Sequence, residues 1–164
     1  MDHLWAGWRS AYVGGADRPR TVTCVFCDLF AAPDPPEVTN IVWRSELVVA
    51  ILNAFPYGTG HVLVMPRRHV AEIEDLDREE SDALWAAVND AAAAIKVAYR
   101  PDGLNIGFNL GEGSGAGIPG HLHAHVLPRW KADTNFITSV ANAKVLPEAL
   151  DVTHRKLTEA WSAS

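Results

Sequence analysis

The sequence predicts an α+β domain: an antiparallel sheet of about five strands, one long central helix and a helix near the C-terminus. Three observations carry this. Short runs rich in β-branched residues at 41–44, 46–52, 61–65 and 104–110 read as strands. A helical period takes over at 77–100, where an acidic start, Asp77-Arg78-Glu79-Glu80, has the form of a capping box. The strands come as hairpins rather than in regular strand–helix–strand alternation, which favours antiparallel pairing.

Each element has its local reason. Residues 41–44 and 46–52 form a hairpin or bent pair, and 53–60, with Pro56-Tyr57-Gly58, a turn. The strand 61–65 is stopped by Pro66. In the long helix Leu84, Val88, Ala91, Ile95 and Tyr99 fall on one face and Pro101 ends the run. Proline density makes Ala31-Ala32-Pro33-Asp34-Pro35-Pro36 a loop. In the tail, Pro147 suits a first helical turn, with Ala149, Val152, Leu157 and Trp161 as an apolar stripe.

With 164 residues the chain has the size of one domain. It divides into an N-terminal arm at 1–23, a main domain at 24–130 and an extension at 131–164 packing on the same domain. The arm opens with Leu4-Trp5-Ala6-Gly7-Trp8-Arg9 and continues through a glycine-rich link at 14–20. No window is apolar enough for a bilayer span, and the start lacks the form of a secretory signal, so the expected compartment is the cytoplasm. A formal charge of -6 argues against extended nucleic acid as the main partner, though a compact phosphate ligand fits.

Function turns on Gly120-His121-Leu122-His123-Ala124-His125-Val126-Leu127-Pro128. Alternation over seven residues reads as a strand with three imidazoles on one face and Leu122, Ala124 and Val126 on the other. Neighbouring histidines on such a face stand roughly 7 Å apart, close enough for two to share a phosphate, a metal or a proton. Just upstream, Gly111-Glu112-Gly113-Ser114-Gly115-Ala116-Gly117 can turn backbone amides toward an anion. There is no nucleophile elbow, P-loop lysine or spaced carboxylate pair. A neutral imidazole can attack phosphorus and leave again, and His61 is a fourth imidazole that a sheet could bring alongside. The two cysteines, Cys24 and Cys27, stand as Cys-x-x-Cys. They are either half of a zinc site, completed by His69 and one strand histidine, or inert buried thiols.

Together with Gly60-His61-Val62-Leu63-Val64-Met65-Pro66, the histidine stretch resembles the histidine-triad (HIT) family of nucleotide hydrolases and transferases over residues 24–130. The flanks, among them Pro128-Arg129-Trp130, Asp133-Thr134-Asn135-Phe136 and the segment 144–150, resemble its bacterial branch assigned as diadenosine tetraphosphate phosphorylase or ATP adenylyltransferase. The resemblance implies a HIT-like fold and a dinucleoside polyphosphate substrate, with free phosphate a candidate co-substrate. His123 would be the nucleophile forming a nucleotidyl-histidine, supported by His61 and His125. It further implies Asn53 at the ribose, Leu52 and Phe55 near the base, and Asn109 with Gly111, Ser114, Gly115 and Gly117 at the phosphates. Cys24, Cys27, His69 and His121 would hold a structural zinc, and the chain would be a homodimer or higher homo-oligomer. Gly117-Ile118-Pro119-Gly120 departs from the glutamine or serine of many members, which leaves water, phosphate or a nucleotide open as acceptor. A zinc hydrolase using the strand histidines, and a nucleotide-binding module without catalysis, are the alternatives.

Overall fold

The computed structural model describes residues 24–31, 33, 39–133 and 147–162. The N-terminal arm, most of the proline loop and the flanking motifs at 134–136 and 144–146 lie outside the described residues. The described residues include three α-helices and five strands: α1 (Val25–Ala31), β1 (Ile41–Arg44), β2 (Val48–Leu52), β3 (Val62–Pro66), α2 (Arg78–Tyr99), β4 (Gly103–Phe108), β5 (Ala124–Arg129) and α3 (Leu150–Ser162). The five strands form one sheet in the order β1-β2-β3-β5-β4, and every neighbouring pair is antiparallel. No helix among the described residues is long and apolar enough to cross a membrane.

Successive side chains of a strand point to opposite faces, and here both faces are covered. Val48, Ala50, Leu52, Val62 and Val64 join Leu84, Val88, Ala91 and Ile95 of α2 and Leu157 and Trp161 of α3 in the main core. Val49, Ile51, Leu63 and Met65 instead meet Phe26 of α1 in a smaller cluster. Double coverage is why β2 and β3 are unbroken apolar runs, a pattern commoner in parallel sheets. The N-terminus of α2 is fixed by the expected capping box: Glu80 N donates to Asp77 Oδ1 at 2.8 Å, and Asp77 N to Glu80 Oε2 at 3.1 Å. Arg68 grips the same carboxylate with Nε at 2.7 Å and Nη2 at 2.6 Å, tying the segment that bears His69 to the helix.

Three expectations need correction. The histidine strand starts at Ala124, not 121: the proline ring at 66 ends β3, whose pairing with β5 stops at Val64, and Leu122 N donates instead to the Val70 carbonyl at 2.6 Å. The tail helix starts at Leu150 rather than in the turn of Pro147, with Ala149 exposed and Val152 half-buried. Its buried positions are Thr153, His154, Leu157, Ala160 and Trp161. Two of these are polar and tolerated because they are paired, His154 Nε2–H donating to the Ile41 carbonyl at 2.8 Å and Thr153 to Glu148 at 2.8 Å. Helix α1, seven residues long, was not foreseen at all.

Asp77→Ala should destabilise the protein by about 1 kcal/mol in denaturant unfolding, the usual loss for an N-cap. Arg68 holds the Glu80 carboxyl below the usual range. A depressed folded pKa contributes stability above the unfolded value, about 4.3, that is lost as pH falls through the lower folded one. The stability gap between wild type and Glu80→Gln should therefore be constant near neutrality and shrink in acid.

Candidate active site

The turn after β2 delivers the first imidazole. Gly60, at φ +77°, occupies the left-handed region, and a Cβ there would lie 3.1 Å from Pro128 and 3.2 Å from Tyr99, so only glycine leads the chain into His61 without strain. His61 is buried, and its Nε2 lies 2.9 Å from His125 Nδ1. Its Nδ1 accepts from Tyr57 N at 3.1 Å and faces Asn53 Nδ2 at 3.3 Å. On its far side His125 Nε2 lies 3.2 Å from the Asn109 amide. The structure thus brings His61, His125 and Asn109 into one row.

His123 sits on the same side of the chain, its ring 5.0 Å from His125 and 5.4 Å from Phe26. It is 6% exposed, outside the helix-side core occupied by Leu122, Ala124 and Val126. A carbonyl can only accept, so the 2.7 Å contact from Nδ1 to the His121 carbonyl places the ring proton on Nδ1 and leaves Nε2 with a lone pair. Burial lowers the pKa of His123 from its ordinary value, opposed by this hydrogen bond.

His121 lies on the same side against Phe26 but is held by other contacts. Its Nε2–H donates to the Pro66 carbonyl at 2.8 Å, so Nδ1 carries the lone pair, and burial lowers its pKa as well. That nitrogen lies 3.3 Å from Cys24 Sγ and 3.7 Å from Cys27 Sγ, while His69 Nδ1 lies 3.5 Å from Cys27 Sγ. The four ligating atoms lie within 4.8 Å of one another and could hold a metal ion. Helix α1 makes this possible, because its first turn spaces the two thiols while Phe26 between them packs edge-on against His121 at 5.4 Å.

The nucleotide-binding candidates are less uniform. Leu52, expected beside a base, is 1% exposed and packs in the main core, so its side chain points away from the histidines. Phe55 is 85% exposed. Asn53 Oδ1 accepts from Phe55 N at 2.9 Å, which bends the turn. In the glycine loop Gly111 and Gly115 have φ of +71° and +82°, flanking a short 3-10 turn at Glu112–Ser114. The Ser114 hydroxyl donates to the Gly111 carbonyl at 2.8 Å, so it serves the turn first. Gly117 is exposed at the end of this loop. Two residues that sequence reasoning missed are Phe26 and Tyr57. Phe26 is hidden between two more conspicuous cysteines, and the ring of Tyr57 lies 4.7 Å from that of His61 and 5.6 Å from that of His125.

With this geometry in place the comparisons are specific. Residues 36–132 match the HIT domain model, and the chain belongs to the HIT domain family. Within it, the chain is 38% identical to a Mycobacterium tuberculosis protein named AP-4-A phosphorylase, over 99% of this chain and 85% of that protein. A Schizosaccharomyces pombe protein named bis(5'-nucleosyl)-tetraphosphatase (asymmetrical) is 35% identical over 60% of this chain and 53% of its own length. Among solved structures, a zinc-bound histidine triad family protein from Mycobacterium smegmatis superposes with a TM-score of 0.70 at 25% identity, covering 86% of this chain and 94% of that one.

Phe26→Ala should cost about 3 kcal/mol in urea unfolding, typical for a buried aromatic, because α1 loses its only fully buried side chain. Phe26→Leu should cost markedly less.

Proposed function

We propose that the chain transfers a nucleotidyl group from a dinucleoside polyphosphate, such as diadenosine tetraphosphate, to inorganic phosphate. The observation that carries the reading is His123, whose ring proton is held by the His121 carbonyl while the Nε2 lone pair is free to attack, next to the hydrogen-bonded pair His125 and His61. The names of the Mycobacterium tuberculosis and Schizosaccharomyces pombe relatives support this substrate class, and the former supports phosphate as acceptor.

The steps follow from the tautomers. His123 Nε2 attacks the α-phosphorus, a P–N bond forms, and the P–O bond to the leaving nucleotide breaks as His125 supplies its oxygen with a proton. An oxygen of hydrogen phosphate then attacks the same phosphorus, its proton passes to His125, and the P–N bond breaks, returning the lone pair to His123. Diadenosine tetraphosphate and phosphate thereby give ATP and ADP. The amides of residues 111–117, with Gly111, Gly115 and Gly117 free of side chains, are assigned to the phosphates, together with Asn109. Asn53 keeps one Nδ2–H and one Oδ1 lone pair for a ribose hydroxyl, and the open ring of Phe55 offers a stacking face for a base.

Cys24, Cys27, His69 and His121 are read as the ligands of a structural zinc. A tetrahedral zinc sets thiolate sulfur and imidazole nitrogen about 3.6 Å apart, and the contacts of 3.3, 3.5 and 3.7 Å suit it. The Pro66 carbonyl orients His121 as outer partners of zinc-binding histidines do. Bound there, zinc supplies a cross-link between α1, the segment after β3 and the histidine stretch. A zinc hydrolase using the strand histidines is disfavoured, since His61 and His125 are bonded to each other and only His121 joins the cysteines. The expected homodimer is assigned to the edge strand β4, where Ile106 is exposed, and to the exposed Trp85 of α2, whose ring packs on Phe108 of that strand; sedimentation as a monomer would remove that assignment.

Product analysis is the main test. Diadenosine tetraphosphate should yield ATP plus ADP only when phosphate is added; ATP plus AMP without phosphate would make water the acceptor. His123→Asn should lower kcat by at least about a thousandfold and abolish an acid-labile nucleotide adduct while nucleotide binding persists. Purified protein should hold one zinc per chain by elemental analysis. Cys24→Ser or Cys27→Ser should reduce zinc content and Tm together.

A further inference from the structure

We propose that Tyr57 is the positioning residue that fixes the proton arrangement of the His61–His125 pair. Tyr57 lies in the turn between β2 and β3 and reaches this pair twice. Its backbone N–H donates to His61 Nδ1 at 3.1 Å. Its ring is nearly parallel to that of His125, at 12° and 5.6 Å, and tilted by 39° over that of His61 at 4.7 Å. Both separations lie in the range where aromatic rings attract one another.

The amide sets the tautomer without ambiguity. A backbone N–H can only donate, so His61 Nδ1 must carry a lone pair and the ring proton must sit on Nε2. From there it points at His125 Nδ1, 2.9 Å away, which then accepts. Neutral His125 consequently carries its own proton on Nε2, the nitrogen beside Asn109, and a half-turn of the Asn109 amide presents Oδ1 to it. One amide thus orders two imidazoles in series and leaves the outer one as a proton donor. Asn53, whose Oδ1 accepts from Phe55 N, turns Nδ2 toward the same His61 nitrogen at 3.3 Å and favours the same tautomer through a longer contact than the 3.1 Å one from Tyr57 N.

The phenol ring keeps that amide in place. The turn holding it includes Gly58 and Gly60, which give it little stiffness of their own, and Phe55 in the same turn is exposed rather than anchored. Stacking on His125 and His61 therefore does for residue 57 what packing does elsewhere. It also covers one face of the pair against water. Removing the ring while retaining the amide should release the turn, lengthen the N–H to Nδ1 contact and let His61 populate both tautomers.

The kinetic arm of the test rests on the nucleotidyl-transfer reading; the spectroscopic arm does not. Wild type, Tyr57→Leu and Tyr57→Phe are compared by nitrogen-15 NMR of labelled histidines, by thermal unfolding and by steady-state turnover of diadenosine tetraphosphate. In wild type and Tyr57→Phe, His61 should show a protonated Nε2 and an unprotonated Nδ1. In Tyr57→Leu the two nitrogens should move toward a common averaged shift, with kcat down about tenfold or more and KM changed by less than about threefold. Tyr57→Phe should restore both readouts. A protonated Nδ1 on His61 in wild type overturns the proposal, as does a Tyr57→Leu variant that retains the single His61 tautomer, or a Tyr57→Phe variant as impaired as Tyr57→Leu. If wild type turns over no dinucleoside polyphosphate, the functional reading fails while the His61 spectrum still decides the role of Tyr57.

Discussion

The hydrogen bond from His123 Nδ1 to the His121 carbonyl is the contact on which the rest of the site depends. It joins two neighbouring histidines whose rings have opposite duties. One ring turns its lone pair toward a pair of thiols, and the other leaves Nε2 outside the bond that fixes it. The carbonyl that fixes the second belongs to the residue that anchors the first, so any shift of His121 is passed directly to His123. The anchoring contacts of His121, namely Pro66, Phe26 and the two cysteines, come from two separate parts of the chain and hold that carbonyl still.

That arrangement is available because the sheet is covered on both sides by different means. The helix side buries Leu122, Ala124 and Val126 under α2 and α3, which leaves the alternating histidines no choice of face. Among the described residues the opposite side is covered by the short α1 around Phe26, with Ile118, and there the imidazoles and thiols meet. The helix side carries the larger apolar cluster, and the thinner side carries the imidazoles and thiols on which the proposed function draws.

Much of this was legible in advance where one local rule dominates. The capping box of α2 and its apolar stripe follow from spacing alone, as do the hairpin of β1 and β2 and the alternation of residues 121–126. The family resemblance supplied the grouping of Cys24 and Cys27 with His69 and His121, which the structure brings together. What could not be read are elements whose reason is tertiary. Helix α1 is too short to show a period, and its anchor is one phenylalanine. Thr153 and His154 look like solvent-facing residues until their partners Glu148 and Ile41 are seen. Tyr57 looks like turn material because its partners lie four and sixty-eight residues away in sequence. Leu52 fell on the wrong face because its expected role came from resemblance rather than from the period of β2.

The strand order carries a consequence for biosynthesis. Strand β5 is inserted between β3 and β4, so the last of the described strands in sequence is an interior one in the sheet. A chain still emerging from the ribosome can assemble the β1–β2–β3 meander and α2, but β3 and β4 stay unbridged until residue 129 is available. Both imidazole clusters are completed by that same late segment. Synthesis therefore passes through a stage with two open sheet margins, the condition in which chaperone capture competes with intermolecular pairing.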